Sequence, residues 1–206
     1  MDKVLFSDEP RFNLSFTDGK QRVWRRPGEC VDEANVIERH RYGGGSVMIW
    51  GGISHRQKSG LITIVGSLKA AHYCNEVIDP IVLPYLRQRH AAIFQQDNAR
   101  PYSARHTRDH LQQNNVHVLD WPARSPDLSP IEHLWDHLGQ KVKGRNDVNN
   151  VRDLARALHQ EWQRITLQTI RHLISSTHRR CNSVIHVHGG HTGYLFFRRI
   201  NFTSFL

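Results

Sequence analysis

Two short apolar runs, each followed by an aspartate, constrain the fold of this 206-residue chain more than any other feature. Val4-Leu5-Phe6 precedes Asp8, and Ala91-Ala92-Ile93-Phe94 precedes Asp97. Apolar runs of this length that end at turn signals are typical of buried strands. If the two strands are parallel neighbours, both carboxylates open at one edge of the sheet, because the carboxyl ends of strands in open α/β sheets face the ligand crevice.

The order of the other segments predicts a layered α/β domain. Pro10 predicts a turn that stops the first strand, and Asp18-Gly19 predicts a hairpin turn. Pro80 and Pro84 are the points at which the first long helical segment would break. Further strands are expected at about 12–16, 22–24, 47–50, 61–65 and 116–119, and helices at about 70–90, 103–113, 131–142, 148–164 and 166–180. The chain begins with predicted strands, continues with alternating strands and helices, and ends with helices. This order favours a sheet covered by helices.

Glu132 is the third acid that we expect at the same edge. Ser129 can cap a helix, Pro130 suits the first helical position, and Glu132 then lies in the first turn. Three carboxylates at one point repel one another and need compensating cations. Mg²⁺ and Mn²⁺ prefer such oxygen ligands. Two such ions, roughly 3.5–4 Å apart, are a known device for phosphodiester chemistry.

Each acid also has a purely structural interpretation. Asp8 would order a turn, Asp97 would cap a turn or a helix, and Glu132 would form a capping box with the serine three residues before it. Asp127 and Asp136 are rival acids nearby, the first in a connector and the second one helical turn after Glu132. These alternatives stay open on the residues alone.

The charge of the chain favours a polyanionic partner. Twenty-eight Lys and Arg face nineteen Asp and Glu, which gives a net charge of +9. Such an excess of cations neutralises phosphates and releases their condensed counterions. A membrane surface is the competing partner, but we find no basic amphipathic helix with a strong apolar face. No apolar run approaches the roughly 20 residues that a membrane span needs.

The cysteines and histidines give no clear metal motif. Three cysteines lie far apart, at Cys30, Cys74 and Cys181, and predict reduced thiols in a nuclear or cytosolic compartment. The histidine-rich end could form a soft-metal site, but it has one cysteine and irregular spacing. Its members are His178, Cys181, His186, His188 and His191. A turn at Gly189-Gly190 is the simpler interpretation.

Three motifs together resemble the Tc-type branch of the Tc/mariner transposase superfamily. They are Phe6-Ser7-Asp8-Glu9, Gln95-Gln96-Asp97-Asn98-Ala99 and the segment from Trp121 to Trp135, WPARSPDLSPIEHLW. Thirty-four residues lie between Asp97 and Glu132, which is the spacing of that branch. Trp24–Glu29 and Gly189–Thr192 are also similar to it, so the resemblance runs from about Val4 to Tyr194.

The resemblance implies a catalytic domain over residues 1–194 with a ribonuclease-H-like α/β fold, in which helices flank a mixed central sheet. It implies that Asp8, Asp97 and Glu132 are the catalytic residues and bind two Mg²⁺ or Mn²⁺ ions. The expected reaction is nicking of double-stranded DNA at the ends of a mobile element, followed by joining to a TA target. A nuclear location, a homodimer with full-length transposase and a loop within 22–45 that reaches the partner subunit are also implied.

Three departures from the family limit these expectations. Relatives carry N-terminal helix-turn-helix modules, and we expect none here, because this chain starts at the first catalytic strand. Tyr102 stands where relatives commonly carry His, and residues 195–206 form a phenylalanine-rich tail unlike the family.

Asn98 and Arg100 are expected to orient or attract phosphate. The alternative function is a truncated or repurposed relic that binds DNA or a partner without catalysis.

Overall fold

The computed structural model describes residues 3–14, 45–88, 93–122, 125 and 128–186. Its strands are β1 Val4–Asp8, β2 Arg11–Asn13, β3 Ser46–Ile53, β4 Ile62–Ile64 and β5 Ile93–Gln95. Its helices are α1 Ala70–Tyr73, a π-helical segment Cys74–Val82, α2 Leu83–Arg87, α3 Arg100–Ser103, α4 Arg105–Gln113, α5 Pro130–Lys143, α6 Val151–Arg164, α7 Leu167–Ser175 and α8 Thr177–His186. None of these helices is long and apolar enough to cross a membrane.

Some predictions concern residues outside this described part of the chain. They are the Asp18-Gly19 turn, the strand at 22–24, nearly all of the partner loop within 22–45, Cys30, Asp127, the Gly189-Gly190 turn with His188 and His191, and the tail at 195–206.

The sheet places the two aspartates side by side. β1 and β2 both pair with one edge of β3, β4 pairs with its other edge, and β5 pairs with β1. β1 and β5 are parallel, with Phe6 opposite Gln95, so Asp8 and Asp97 each lie two residues beyond that pair. The prediction that these strands are parallel neighbours is confirmed. β1 is antiparallel to β3, which makes the sheet mixed, as expected.

The turn predicted at Pro10 is wrong. Asp8 aligns with Gly51 and Arg11 aligns with Met48 in a single register, so β1 and β2 are two parts of one extended stretch along β3. Pro10 lacks an N–H, yet its carbonyl still accepts the backbone N–H of Ile49 at 3.1 Å. The ladder therefore continues past the proline, and Asp8 is not a turn residue.

Helices cover both faces of the sheet, because the side chains of β1 alternate between them. Val4 and Phe6 pack in a core with α5, α6 and α7. Leu5 packs in a second core with the π-helical segment and α4. The Lys58 ammonium donates to the carbonyls of Trp162, Gln163 and Ile165 and so caps the end of α6. The prediction of a layered α/β domain is confirmed.

The helix across Pro80 and Pro84 does not break. Pro80 lies inside the π-helical segment, and Pro84 lies in the first turn of α2. A π-helical turn has a wider hydrogen-bonding span than an α-helical turn, and here it continues the helix through both prolines. The buried residues Tyr73, Val77 and Val82 stay on one side of it.

Three other predicted elements need correction. The helix expected at 103–113 is two helices, α3 and α4, because Ala104 has an extended backbone with ψ of 142°. The strand expected at 116–119 forms a single parallel bridge between Phe94 and Val118 and no longer ladder within the described residues. The helix expected at 166–180 is also divided, at Ser176, into α7 and α8.

Candidate active site

Asp8 is held by an indole from the helix that carries Glu132. It is the last residue of β1 and is half-buried. Trp135 donates its Nε1–H to Asp8 Oδ2 at 2.9 Å. Trp135 is fully buried on α5 and stacks on Trp162 of α6, with 5.1 Å between ring centroids. The packing of two helices therefore fixes the orientation of this carboxylate.

Glu132 lies in the first turn of α5, one helical turn before Trp135 and on the same side of the helix. Its negative charge is, after burial, the largest cause that raises the pKa of Asp8. The two carboxyl groups are thus within electrostatic reach of each other. The Ser129 side chain makes no capping hydrogen bond, so the serine half of the predicted capping box is not formed.

Asp97 occupies an exposed turn two residues beyond β5. Its Oδ1 accepts the backbone N–H of Ala99 at 2.9 Å, so the predicted turn-capping bond is present. Burial of part of the group raises its pKa, and the bond from Ala99 lowers it. The capping bond engages one of the two carboxylate oxygens.

Asp8 and Asp97 lie at one edge of the sheet, and Glu132 begins the neighbouring helix α5. Burial raises the pKa of Asp8 well above its ordinary value, and the charges of Glu132 and Asp97 raise it further. Within the described part of the chain, however, no three His, Cys, Asp or Glu side chains form a ready-made cluster of metal ligands. Mutual repulsion keeps carboxylates apart in the absence of a cation. Their oxygen donors nevertheless fit Mg²⁺ or Mn²⁺.

Asn98 and Arg100 lie next to Asp97 and are exposed. Asn98 donates its Nδ2–H to the carbonyl of Trp121 at 3.0 Å, which joins the Asp97 turn to the neighbouring segment. Arg100 is the first residue of α3. A groove of about 710 Å³ is lined by Asp97, Asn98, Arg108 and Trp121, among others. Asn98 is therefore accessible to a ligand at Asp97, whereas Arg100 is exposed but does not line this groove.

A sequence model of the family described as DDE superfamily endonuclease matches residues 3–155. The chain belongs to this family. It is 36% identical over 193 residues to the transposable element Tcb2 transposase of Caenorhabditis briggsae. This alignment covers 92% of this chain and 70% of that relative. It is 35% identical over 194 residues to the transposable element Tc1 transposase of Caenorhabditis elegans. This second alignment covers 93% of this chain and 70% of that relative.

Solved structures agree with the DDE assignment at the level of the fold. The Mos1 transposase catalytic domain with raltegravir and Mg superposes with a TM-score of 0.69 at 18% identity, over 93% of this chain and 86% of that one. The Mos1 mariner paired end complex with Mn gives a TM-score of 0.73 at 19% identity, over 92% of this chain and 56% of that one. The chain is a Tc/mariner transposase catalytic domain with a ribonuclease-H-like fold, as the resemblance implied.

The predicted limits of this DDE domain, 1–194 with a tail at 195–206, stay predictions.

Asp136, the rival acid on α5, is half-buried. His178, Cys181 and His186 lie along α8, and the described residues gather no soft-metal cluster there. Cys74 is buried and Cys181 is partly exposed, and both are free thiols.

Sequence reasoning missed a polar cluster on the opposite face of the sheet, formed by Glu9, Tyr73 and Tyr102. Glu9 Oε2 and the Tyr102 hydroxyl are buried and find no hydrogen-bond partner among the described residues. Burial, then the charges of Asp8 and Asp97, raise the pKa of Glu9, whereas Tyr102 lowers it. The alternation of β1 side chains was the available signal, because it sends Glu9 to the face opposite Asp8.

Proposed function

We propose that this DDE domain binds two Mg²⁺ or Mn²⁺ ions through Asp8, Asp97 and Glu132 and that it hydrolyses DNA phosphodiester bonds at the ends of a mobile element. The freed 3′ end is then joined to target DNA at a TA step. One observation carries the proposal: Asp8 and Asp97 end parallel neighbouring strands in register, and Glu132 perturbs the Asp8 carboxyl.

The chain's own residues prepare this edge for metal. Trp135 orients Asp8, and the Ala99 N–H orients Asp97, so both carboxylates have a defined direction. Carboxylates that repel in the free chain are drawn together once cations offset their charge. When bound, two divalent ions activate the attacking oxygen and neutralise charge on the leaving oxygen. The Mos1 catalytic domain has been solved with Mg and with Mn, which supports the choice of ions.

DNA is the proposed substrate. The net charge of +9 suits phosphate backbone, and the proposal includes Asn98 and Arg100, both exposed near Asp97, as residues that contact it. Structures of a Mos1 paired end complex and a Mos1 strand transfer complex share the fold and support a DNA partner. Action as a homodimer with full-length transposase, and a nuclear location, complete the proposal.

A nicking assay on supercoiled DNA with Mg²⁺ or Mn²⁺ tests the function. Asp8→Asn, Asp97→Asn and Asp97→Ala should each lower the rate by more than about 100-fold, since loss of a merely supporting residue costs roughly 10–100-fold. Asp136→Asn is the matched control, an acid on the helix of Glu132, and should retain activity. Unchanged nicking by Asp97→Ala would reject the assigned role.

The second candidate is a non-catalytic relic that binds DNA or a transposase partner. It keeps the fold and the net charge of +9 and differs only in lacking the metal-dependent cleavage step. A DNA-binding assay with a Mg²⁺ titration separates the two functions. Binding that is independent of metal, with no cleavage even after DNA-reading modules are supplied, would favour the relic.

A further inference from the structure

We propose that Tyr73 and Tyr102, together with Glu9, are positioning residues that fix Asp97 from the face of the sheet opposite α5. This inference rests on the proposed metal site, and it assigns a task to the buried polar cluster that the proposed reaction leaves unused. The cluster approaches Asp97 from both directions along the chain.

After Asp97, the chain is tied to Tyr102. Asp97 Oδ1 accepts the N–H of Ala99 at 2.9 Å, and the carbonyl of Ala99 accepts the N–H of Tyr102 at 3.0 Å. Tyr102 is 2% exposed, so its ring is locked in the core. A shift of that ring would be transmitted through two hydrogen bonds to the Asp97 carboxylate.

Before Asp97, the chain is tied to Tyr73. The Tyr73 hydroxyl donates to Oε1 of Gln96, the preceding residue, at 3.0 Å in a buried site. The two tyrosine rings pack on each other, with 4.4 Å between centroids and an angle of 52°. Gln96 on one side of Asp97 and Ala99 on the other are therefore held by a single aromatic pair.

Glu9 joins this pair to the strand that carries Asp8. Glu9 follows the alternation of β1 and takes the face of Leu5, whose core contains both tyrosines. Burial first, and then the Glu9 charge, raise the pKa of both tyrosine hydroxyls. The Tyr102 hydroxyl is close enough to the Glu9 carboxyl to lower its pKa by hydrogen bonding. In the described part of the chain, neither this hydroxyl nor Glu9 Oε2 has any other hydrogen-bond partner. Because Glu9 directly follows Asp8, the cluster links the ends of β1 and β5 beneath both acids.

The test measures Mn²⁺ affinity of the full 206-residue chain from the electron paramagnetic resonance signal of the free ion, beside a calorimetric melting temperature. Tyr73→Phe removes the donor to Gln96 and should raise the Mn²⁺ dissociation constant about 10-fold, as loss of partners that orient metal ligands does. Tyr102→Phe keeps the backbone N–H that bonds to Ala99 and removes only the hydroxyl beside Glu9, so it should raise the dissociation constant by a smaller factor. The double variant should raise the Mn²⁺ dissociation constant by less than the product of the two single-variant factors, because both changes act on Asp97. Glu9→Gln should also weaken binding.

Tyr85→Phe is the matched control. Tyr85 is a buried tyrosine of the same core, and its hydroxyl bonds to Ser54 Oγ at 2.6 Å and to the carbonyl of Gln57 at 2.9 Å, away from Asp97. Its loss should lower the melting temperature and leave the Mn²⁺ dissociation constant unchanged. A purely structural role for Tyr73 and Tyr102 would give this same pattern.

Unchanged Mn²⁺ affinity in folded Tyr102→Phe and Tyr73→Phe overturns the inference while the metal site stands. If Tyr102→Phe does not fold, Tyr73→Phe decides alone, because it breaks the link to Gln96. If the wild type binds no Mn²⁺, the proposed metal site fails and the inference fails with it.

Discussion

Asp8 and Asp97 lie side by side, yet the chain holds them in different ways. Asp8 ends a central strand, is half-buried and accepts an indole N–H from a helix core. Asp97 lies in an exposed turn and is oriented by a local backbone bond. The difference teaches that a side chain from a distant helix holds the Asp8 carboxylate directly, whereas a neighbouring backbone N–H holds the Asp97 carboxylate directly.

The largest expected effect comes from crowding the Asp8 side. Gly51 lies opposite Asp8, and a Cβ there would be 2.8 Å from Trp135 Cη2 and 3.2 Å from Trp162 Cη2. Gly51→Ala should therefore lower the free energy of unfolding by about 3 kcal/mol, measured by urea denaturation. Gly60→Ala is the control, because a Cβ at Gly60 meets nothing within 4 Å. Equal stability of the two variants would contradict the packing described.

A smaller effect should separate the two stacked tryptophans. Trp135→Phe and Trp162→Phe each shorten a buried ring and remove one donor, to Asp8 Oδ2 and to the carbonyl of Ser59 respectively. Each should lower the free energy of unfolding by about 2 kcal/mol. In Mn²⁺ titrations, only Trp135→Phe should weaken binding, by about 10-fold. Equal binding by both variants would mean that the indole does not orient Asp8.

The smallest effect concerns pH. An acid whose pKa is raised in the folded protein loses stability as pH rises from its ordinary value, here 3.8, through the folded value. Without metal, Asp8→Asn should therefore raise the melting temperature at pH 8 and change it little below about pH 3.8. Asp97→Asn should give a smaller rise, because its pKa is raised less. Calorimetry in a chelator measures both, and an equal rise would remove the contrast between the two acids.

Much of the site could be predicted because its signals are local. The apolar runs before Asp8 and Asp97 predicted neighbouring strands, and their parallel pairing is observed. Ser129-Pro130 predicted the start of the helix that carries Glu132, and α5 begins at Pro130. In each case a few adjacent residues determine the structure.

The supporting contacts depend on register and packing, which single residues do not encode. Trp135 falls at helical spacing with the other buried residues of α5, but only the tertiary arrangement brings its N–H to Asp8. Pro10 predicted a turn because its missing N–H is a local property, whereas the ladder along β3 continues through its carbonyl. The polar cluster at Glu9 was missed because an apolar run hides which face each of its residues takes.

The π-helical segment has a consequence for how this domain tolerates insertions and deletions. A π-helical stretch turns by less per residue than the roughly 100° of an α-helix. Removing one residue between Cys74 and Val82 would therefore rotate everything before it relative to α2 by somewhat less than that angle. Tyr73 would then turn away from Gln96, although neither residue had changed. The length of this stretch, as much as its composition, therefore sets the phase of a side chain beside Asp97.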